Sequence, residues 1–488
     1  MKAPAIRRKN RERFGCRGSV SAPSRERGVT MLLVAVSMVG IIAMAALSID
    51  MVTLYLAREE AQRTADGAAL AAARVISISG ITGTANPSTD TASWSLICGS
   101  AGSATQAAQA VAIQNSVGNI AATATVTYSA GGSSGSDCST LPQAFAVNPM
   151  VTVQVTRASM PTFFSRIWGN SGKSVSATAT AEAYNPSDSG NVDNGPTGSI
   201  TPVLPSCVKP FIVPNHDPLN SGNSFVSKTD GSITHAGISL NGSGTNGTIG
   251  ETFWLDLDCQ RGNPGSCTLR ANPPTINAAR SGSVEAPPNI LYVPGQVGTP
   301  VVAVPSCTQG DQYEEAIEGC DESTNYQCGV PPPNNEVIDL TRNPGDSGAV
   351  TNGVECLTGQ TDDNNHTSSS GQDYLNTFGA PSAYPYQILA GSSNPIGLSG
   401  KPISSSNSIV SLPIYDDGAV TLTSNTAANV TFVGFLQVFI NAVDRFGNIN
   451  VTVLNVTGCS NGAPGNTDPV GTPVLGSSPV PVRLITPP

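Results

Sequence analysis

The sequence predicts an α+β protein. A single N-terminal transmembrane helix continues into an alanine-rich helix packed on a small antiparallel sheet, and a disulfide-bearing, β-rich domain follows. Three observations predict this. Val29–Ile49 is an apolar run of 21 residues without a charge, and at about 1.5 Å per helical residue it covers roughly 30 Å, the thickness of a bilayer's hydrocarbon core. Asp50–Val75 then continues in helix-forming residues with no proline. Beyond it the chain is rich in turn residues, with 50 Gly and 37 Pro among 488 residues and only 12% charged, and ten of the 11 cysteines follow the apolar run.

The leader Met1–Arg27 holds nine Lys/Arg against two Asp/Glu, a charge of +7. Positive flanks mark the cytoplasmic side, so residues 1–27 are expected inside, 28–50 in the membrane, and everything from residue 51 outside. A cleaved secretory signal is the competing reading, because Ala43-Met44-Ala45 offers an A-x-A site. The run exceeds the usual ~7–15 residues of a signal core, however, and the helical pattern does not break after it. Lipidation of Cys16 is disfavoured by the Arg-rich sequence before it. A buried helix of a soluble domain is disfavoured because the run lacks a polar stripe. Residues 28–488 hold 15 basic and 32 acidic side chains and carry −17, within a total of −10. That acidity argues against nucleic acid and against an anionic membrane surface as partners of the exported part.

In the alanine-rich stretch, Leu54, Ala61, Ala65, Ala68 and Ala72 fall on one helical face. Side chains this small let another backbone approach closely. Two occupants fit that face, this protein's own sheet and another subunit. Glu59 and Arg63 form an i,i+4 pair on a more polar side.

Arg27-Gly28-Val29, the apolar run ending in Asp50, then Leu54-Tyr55, Gln62, Ala65-Asp66 and the string Ala68-Ala69-Leu70-Ala71-Ala72-Ala73 carry a family resemblance. Over roughly residues 27–75 the chain resembles the N-terminal, TadE/TadG-like anchor region of TadG-like Flp (tight adherence) pilus assembly proteins of bacteria. The resemblance implies a membrane-anchored, minor-pilin-like or pseudopilin-like accessory component. It implies a bacterial inner-membrane location with the N-terminus cytoplasmic and the bulk of the chain periplasmic. Its partners would be the inner membrane and other pilus-assembly subunits, namely TadE/TadF-like pseudopilins and the secretion platform. The anchor and packing positions it picks out are Gly28, Asp50, Leu54, Tyr55, Ala65, Asp66, Ala68 and Ala72, and the helical face adds Ala61. One position departs from the pattern. Pilins and TadE-type pseudopilins usually carry Glu five places after the processed glycine, and Leu33 stands there. A retained anchor is therefore expected rather than cleavage after Gly28.

Residues 51–184 read as a pilin-like α+β module. Ala104–Val117 suits a helix, and Ala122–Ser129, Met150–Arg157 and Ser174–Tyr184 alternate apolar and polar residues as half-buried strands do. Pro161–Trp168 suits a short helix opened by proline. Residues 185–205, rich in Asn, Pro, Ser and Gly, read as a linker. Residues 206–459 read as a β-rich domain with strands over Asn289–Val293, Val301–Val304, Ser408–Tyr415, Asn429–Val443 and Asn448–Val456. Residues 460–488 read as a Pro/Gly-rich tail with a final strand over 480–485. A looser likeness to the C-terminal parts of TadG-like proteins runs through Cys207-Val208-Lys209-Pro210, Val213-Pro214-Asn215, Tyr313–Ile317 before Cys320, Asn343-Pro344-Gly345, Gly353-Val354 and Val433-Gly434-Phe435.

Cys16 lies in the leader, where the cytosol keeps thiols reduced. Cys98, Cys138, Cys207, Cys259, Cys267, Cys307, Cys320, Cys328, Cys356 and Cys459 all follow the anchor, an even number suited to disulfides. Cys98 and Cys138 are the expected pair, because both sit in the first module apart from the other eight. Connectivity among those eight stays open.

Chemistry is poorly supported, and no cofactor or metal is expected. No CxxC occurs, and the three histidines, His216, His235 and His366, lack ligand spacing. Gly169–Ser174 reads GNSGKS, but the Walker pattern needs glycine at position 167, where Ile167 stands; a hairpin or helix-exit loop fits better. The G-x-S-x-G elbow is absent, since Gly397–Lys401 misses its final glycine. Asp90–Ser93 does not satisfy the D-x-S-x-S of a von Willebrand type A metal site. Asp362–His366 fails the EF-hand pattern. Asp416-Asp417-Gly418 reads as a turn between strands. The expected function is a non-enzymatic accessory of a Flp/Tad-type pilus, and the alternative is an anchored extracytoplasmic adhesin or ligand-binding module using a pilus-type anchor.

Overall fold

The structure is a computed structural model. It describes residues 25–83, 94–130, 132–142, 144–147, 149–160, 164, 172–183, 203–205, 207–220, 222–229, 231–239, 247–259, 266–270, 288–298, 307, 310–319, 326, 338–342, 348–361, 370–377, 386–403, 405–459, 474–476 and 479–485. Residues 1–24 of the leader with Cys16, the expected helix Pro161–Trp168 (apart from Phe164), residues 169–171 of Gly169–Ser174, the strand Val301–Val304, Asn343–Gly345, Asp90–Ser93, Asp362–His366, Cys320 and Cys328 lie outside the described residues. The chain divides into two compact units, Met1–Leu56 with Ser159–Lys173, and Ala57–Ala158 with Ser174–Pro488.

Helix α1 spans Arg25–Ile78. No proline interrupts it, so the backbone hydrogen-bond ladder is never broken. Ser103–Gln114 forms α2, which stops three residues before the expected end. There Gly118 and Asn119 take the left-handed conformation and turn the chain. A one-turn helix α3, Ala144–Val147, places Phe145 in the core.

The first sheet contains β1 (Thr123–Ala130), β2 (Ser133–Gly135), β3 (Met150–Met160), β4 (Lys173–Ala183) and, from the far end of the chain, β17 (Val482–Ile485), in the order β17-β4-β3-β1-β2. The β1–β2, β1–β3 and β4–β17 pairs are antiparallel. Val126, Tyr128, Val151, Val153 and Val155 alternate inward, as the period-two pattern predicts. Trp94, Tyr128 and Phe145 fill the module's interior, with ring centroids 5.7 Å apart for Trp94–Phe145 and 6.1 Å for Tyr128–Phe145. The Tyr128 hydroxyl is 2.8 Å from Thr105 Oγ1 on α2, which ties helix to sheet.

The β-rich region closes into a six-stranded barrel. Its strands are β6 (Phe211–Pro214), β7 (Thr252–Leu257), β8 (Asn289–Pro294), β12 (Ile409–Tyr415), β14 (Phe432–Val443) and β15 (Ile449–Gly458), in the closed order β12-β14-β15-β7-β8-β6. The β7–β8 and β6–β12 pairs are parallel, and the β12–β14, β14–β15, β15–β7 and β6–β8 pairs are antiparallel. Closure leaves no open edge. β14 is buried along nine successive residues, which explains why its sequence reads as a continuous apolar run rather than an alternating one. Helices α4 (Gln312–Glu318) and α5 (Ala349–Thr358) pack against each other beside the barrel. Gly353 makes that crossing feasible, because a Cβ there would stand 2.9 Å from Ile317 Cβ. Smaller ladders are β5–β16 (Val203–Pro205 with Val474–Gly476), β9–β13 (Ile338–Asp339 with Ala427–Ala428) and β10–β11 (Tyr374–Thr377 with Tyr386–Leu389).

Two of these ladders change the expected division of the chain. The end of the stretch read as a linker, residues 203–205, pairs with the stretch read as a tail through β5–β16. The final strand, expected over 480–485, is not an appendage: it supplies the edge of the first sheet through Arg483↔Glu182 and Leu484↔Ala181. Ala57–Ala158 and Ser174–Pro488, which hold most of the first module and the whole barrel, form one compact unit.

Disulfides join Cys98 to Cys138, Cys259 to Cys267 and Cys307 to Cys356. Cys207 and Cys459 are also disulfide-bonded.

Candidate functional site

The first half of α1 is apolar on every side. Met31 is 77% exposed, Ile42 62% and Leu56 57%, and the run contains no polar stripe to turn toward water. Only a hydrocarbon phase or protein partners match such a surface. Asp50, at the end of the run, is buried, and its Oδ2 accepts the backbone N–H of Phe164 at 3.1 Å. Among the described residues this is the one helix long and apolar enough to cross a membrane.

The second half of α1 has the opposite environment. Ala57, Ala61, Ala65, Ala68, Ala69, Ala72, Ala73 and Ile76 are buried by the chain's own atoms. Gly67 faces α2, where an added Cβ would lie 3.6 Å from Val111 Cγ1. Gln62 Nε2 donates to the Thr178 carbonyl of β4 at 3.3 Å, and the Gly118 N–H donates to Glu60 Oε2 at 2.7 Å. The helix end is held by the barrel: Asn455 Nδ2, on β15, donates to the Ser77 carbonyl at 2.7 Å and to Thr82 Oγ1 at 2.9 Å. Gly80 there has φ +73°, and a Cβ would come 2.3 Å from Ile249 Cγ2.

Of the two occupants open to the alanine face, the structure therefore supplies this protein's own module along Ala61–Ala72. Leu54 is half-buried and Tyr55 is 66% exposed. Asp66 is half-buried and accepts from Gln62 Nε2 at 2.8 Å. Gly28 has open space around it.

The scattered fragments of the looser likeness come together around the barrel. Tyr313 OH donates to the Pro210 carbonyl at 2.8 Å, and Lys209 Nζ donates to the Gly319 carbonyl at the end of α4. Asn215 exchanges two hydrogen bonds with the Val226 backbone, at 2.8 and 3.1 Å. Burial pushes the Lys209 ammonium down to about 7.

His216 Nε2 lies 2.7 Å from Asp417 Oδ2 in the turn after β12. The hydrogen bond that His216 Nε2 donates to the Asp417 carboxylate raises the His216 pKa. Burial alone would raise Asp417, but the hydrogen bond and charge of His216 and the charge of Lys228 outweigh it and hold that carboxyl low. His235 lies elsewhere, with Asp217 and Glu251, where one ligand atom from each falls within 4.8 Å of the others. Burial, then the neighbouring Asp217 carboxylate, pushes Glu251 up to about 10. Sequence reasoning missed this cluster because residues 217, 235 and 251 form no recognised ligand spacing.

These features define a disulfide-bonded α+β protein with one N-terminal helix long and apolar enough to cross a membrane. A family model described as putative Flp pilus-assembly, TadE/G-like, matches residues 28–75, and one described as putative Tad-like Flp pilus-assembly matches residues 91–181. Over these stretches the chain is similar to Flp pilus-assembly proteins, TadE/G-like over residues 28–75 and Tad-like over residues 91–181. No curated protein and no solved structure matches the chain.

Proposed function

We propose that this protein is a non-enzymatic, minor-pilin-like accessory component of a bacterial Flp/Tad-type pilus, anchored by α1 in the inner membrane with its bulk outside. One observation carries the reading: a single helix whose first half is apolar all round has its second half seated by alanines in a small α+β module. A long N-terminal helix packed on a small sheet is the pilin-like plan. The +7 leader supports a cytoplasmic N-terminus, and bonded cysteines support an oxidising compartment for the rest. The partners are then TadE/TadF-like pseudopilins and the secretion platform.

Alkaline phosphatase joined after residue 488 tests the orientation. The fusion should be active in intact cells and the membrane-extracted protein should keep its leader. An inactive fusion, or an N-terminus at Val29 or near Ala46, defeats the retained, outward-facing anchor. Deleting the chain should abolish Flp piliation without loss of the other subunits, and unchanged piliation removes the accessory role.

A second reading, an anchored ligand-binding module, is favoured by one feature. A groove of about 450 Å³ lies between the end of α1 (Val75, Ile78), α2 (Ala107, Val111) and the β10–β11 hairpin (Leu375, Ile388). Its described lining holds no acid, base, histidine or cysteine, so it suits contact rather than chemistry.

A further inference from the structure

We propose that Asp217, His235 and Glu251 bind one divalent transition-metal ion, with Zn²⁺ the best match to the donor set. Asp217 and Glu251 are both 0% exposed, and one ligand atom from each of the three side chains lies within 4.8 Å of the others. Part of the cluster is already satisfied. The Asn220 amide donates to Asp217 Oδ2 at 2.9 Å and to Glu251 Oε1 at 2.8 Å, and Thr248 Oγ1 donates to Asp217 Oδ2 at 3.3 Å. The Leu219 and Asn220 N–H groups occupy Asp217 Oδ1. Two atoms are left over. Glu251 Oε2 and His235 Nδ1 are sealed from solvent and hydrogen-bond to nothing among the described residues.

Groups of this kind are normally satisfied, and each exception calls for an occupant. Ion pairs among the described residues join His216–Asp417, Lys228–Asp416, Arg342–Asp339 and Arg483–Glu182, and none of them reaches this cluster. A proton shared between the carboxyl groups would relieve their repulsion but leave the imidazole nitrogen unused. A divalent cation neutralises both carboxylates and takes the imidazole lone pair at once. Donor chemistry selects its class: imidazole suits Zn²⁺ and its neighbours, whereas Ca²⁺ and Mg²⁺ favour oxygen-only shells. Three protein donors leave a fourth position for water.

The ion would act as a clamp. Glu251 immediately precedes β7, and its backbone carbonyl accepts the Val453 N–H of β15 at 2.9 Å. Asp217 and His235 belong to the loops between β6 and β7. One ion would thus fix those loops to the barrel wall, as structural metals do.

The test uses the full-length protein in detergent, stripped with a chelator, incubated with Zn²⁺, desalted and assayed for bound metal by mass spectrometry. The wild type should retain one Zn²⁺ per chain. His235→Ala and Glu251→Gln should lose it, and His216→Ala, outside the cluster, should keep it. X-ray absorption of the wild-type Zn²⁺ protein needs no variant to fold. It should show a nitrogen/oxygen shell with a single imidazole. Failure of the wild type to retain Zn²⁺, equal retention by His235→Ala, or sulfur in the shell overturns the proposal.

Discussion

Ala61, Ala65, Ala68 and Ala72 are each 0% exposed, their methyl groups enclosed by the chain's own atoms. Enlarging one overpacks a tight interior, at a cost of about 1–3 kcal/mol or more. Ala65→Leu should therefore lower the melting temperature and the amount of protein that accumulates. Tyr55→Ala, at a position 66% exposed, should leave stability within about 0.5 kcal/mol. Thermal melts of the two variants check this; a silent Ala65→Leu would mean the alanine face is not packed as described. The His216–Asp417 pair adds a pH signature. His216 is raised, so its contribution is present below its unfolded value of about 6.5 and fades as pH rises through the folded value. Asp417 is lowered, so its contribution is present above its unfolded value and fades in acid. His216 is partly exposed, which keeps the pair to at most about 1 kcal/mol. Denaturant titrations should find that His216→Ala costs more at pH 5.5 than at pH 8.

Single elements carry the anchor and the first staple. A charge near the middle of the apolar run, as in Val39→Asp, costs about 2.5–3.5 kcal/mol of insertion free energy. The variant should shift from the membrane pellet toward the soluble or degraded fraction on carbonate extraction. Cys98–Cys138 closes a loop over a sequence separation of 40 residues. Removing the bridge with Cys98→Ser and Cys138→Ser together should cost about 2–4 kcal/mol, because the unfolded module regains loop freedom. Denaturant unfolding measures it, and a loss below half a unit would deny the bridge a structural role.

At the scale of the whole molecule, the chain leaves the first sheet, builds the barrel and returns to close the sheet it left. β17 lies on β4, and Arg483 Nε donates to buried Glu182 Oε1. Ending the chain after residue 478 should bare the β4 edge and leave the Glu182 carboxylate without its cation. Backbone amides of Thr180–Ala183 should then exchange with deuterium faster, some 300 residues from the deletion in sequence. Unchanged exchange there would show that the sheet stands without its final strand.

The legible features were those set by near neighbours. Val29–Ile49 announces a membrane-length helix by its own composition, the alanine stripe announces a packing face by its period, and β1, β3 and β4 announce themselves by alternation. Local physics suffices in each case, because helix and strand periods place side chains on faces whatever lies opposite. What lies opposite is a different matter. The stripe could not say whether its occupant was this chain or another, and only the packed structure assigned Ala61–Ala72 to the protein's own core. The pairing of residues 482–485 with 180–183, the closing of six strands into a barrel, the meeting of Tyr313 with Pro210, and the gathering of Asp217, His235 and Glu251 join residues from 16 to about 300 positions apart in the chain. No period or spacing encodes such meetings. They are decided by how apolar surface is buried when the whole chain packs at once.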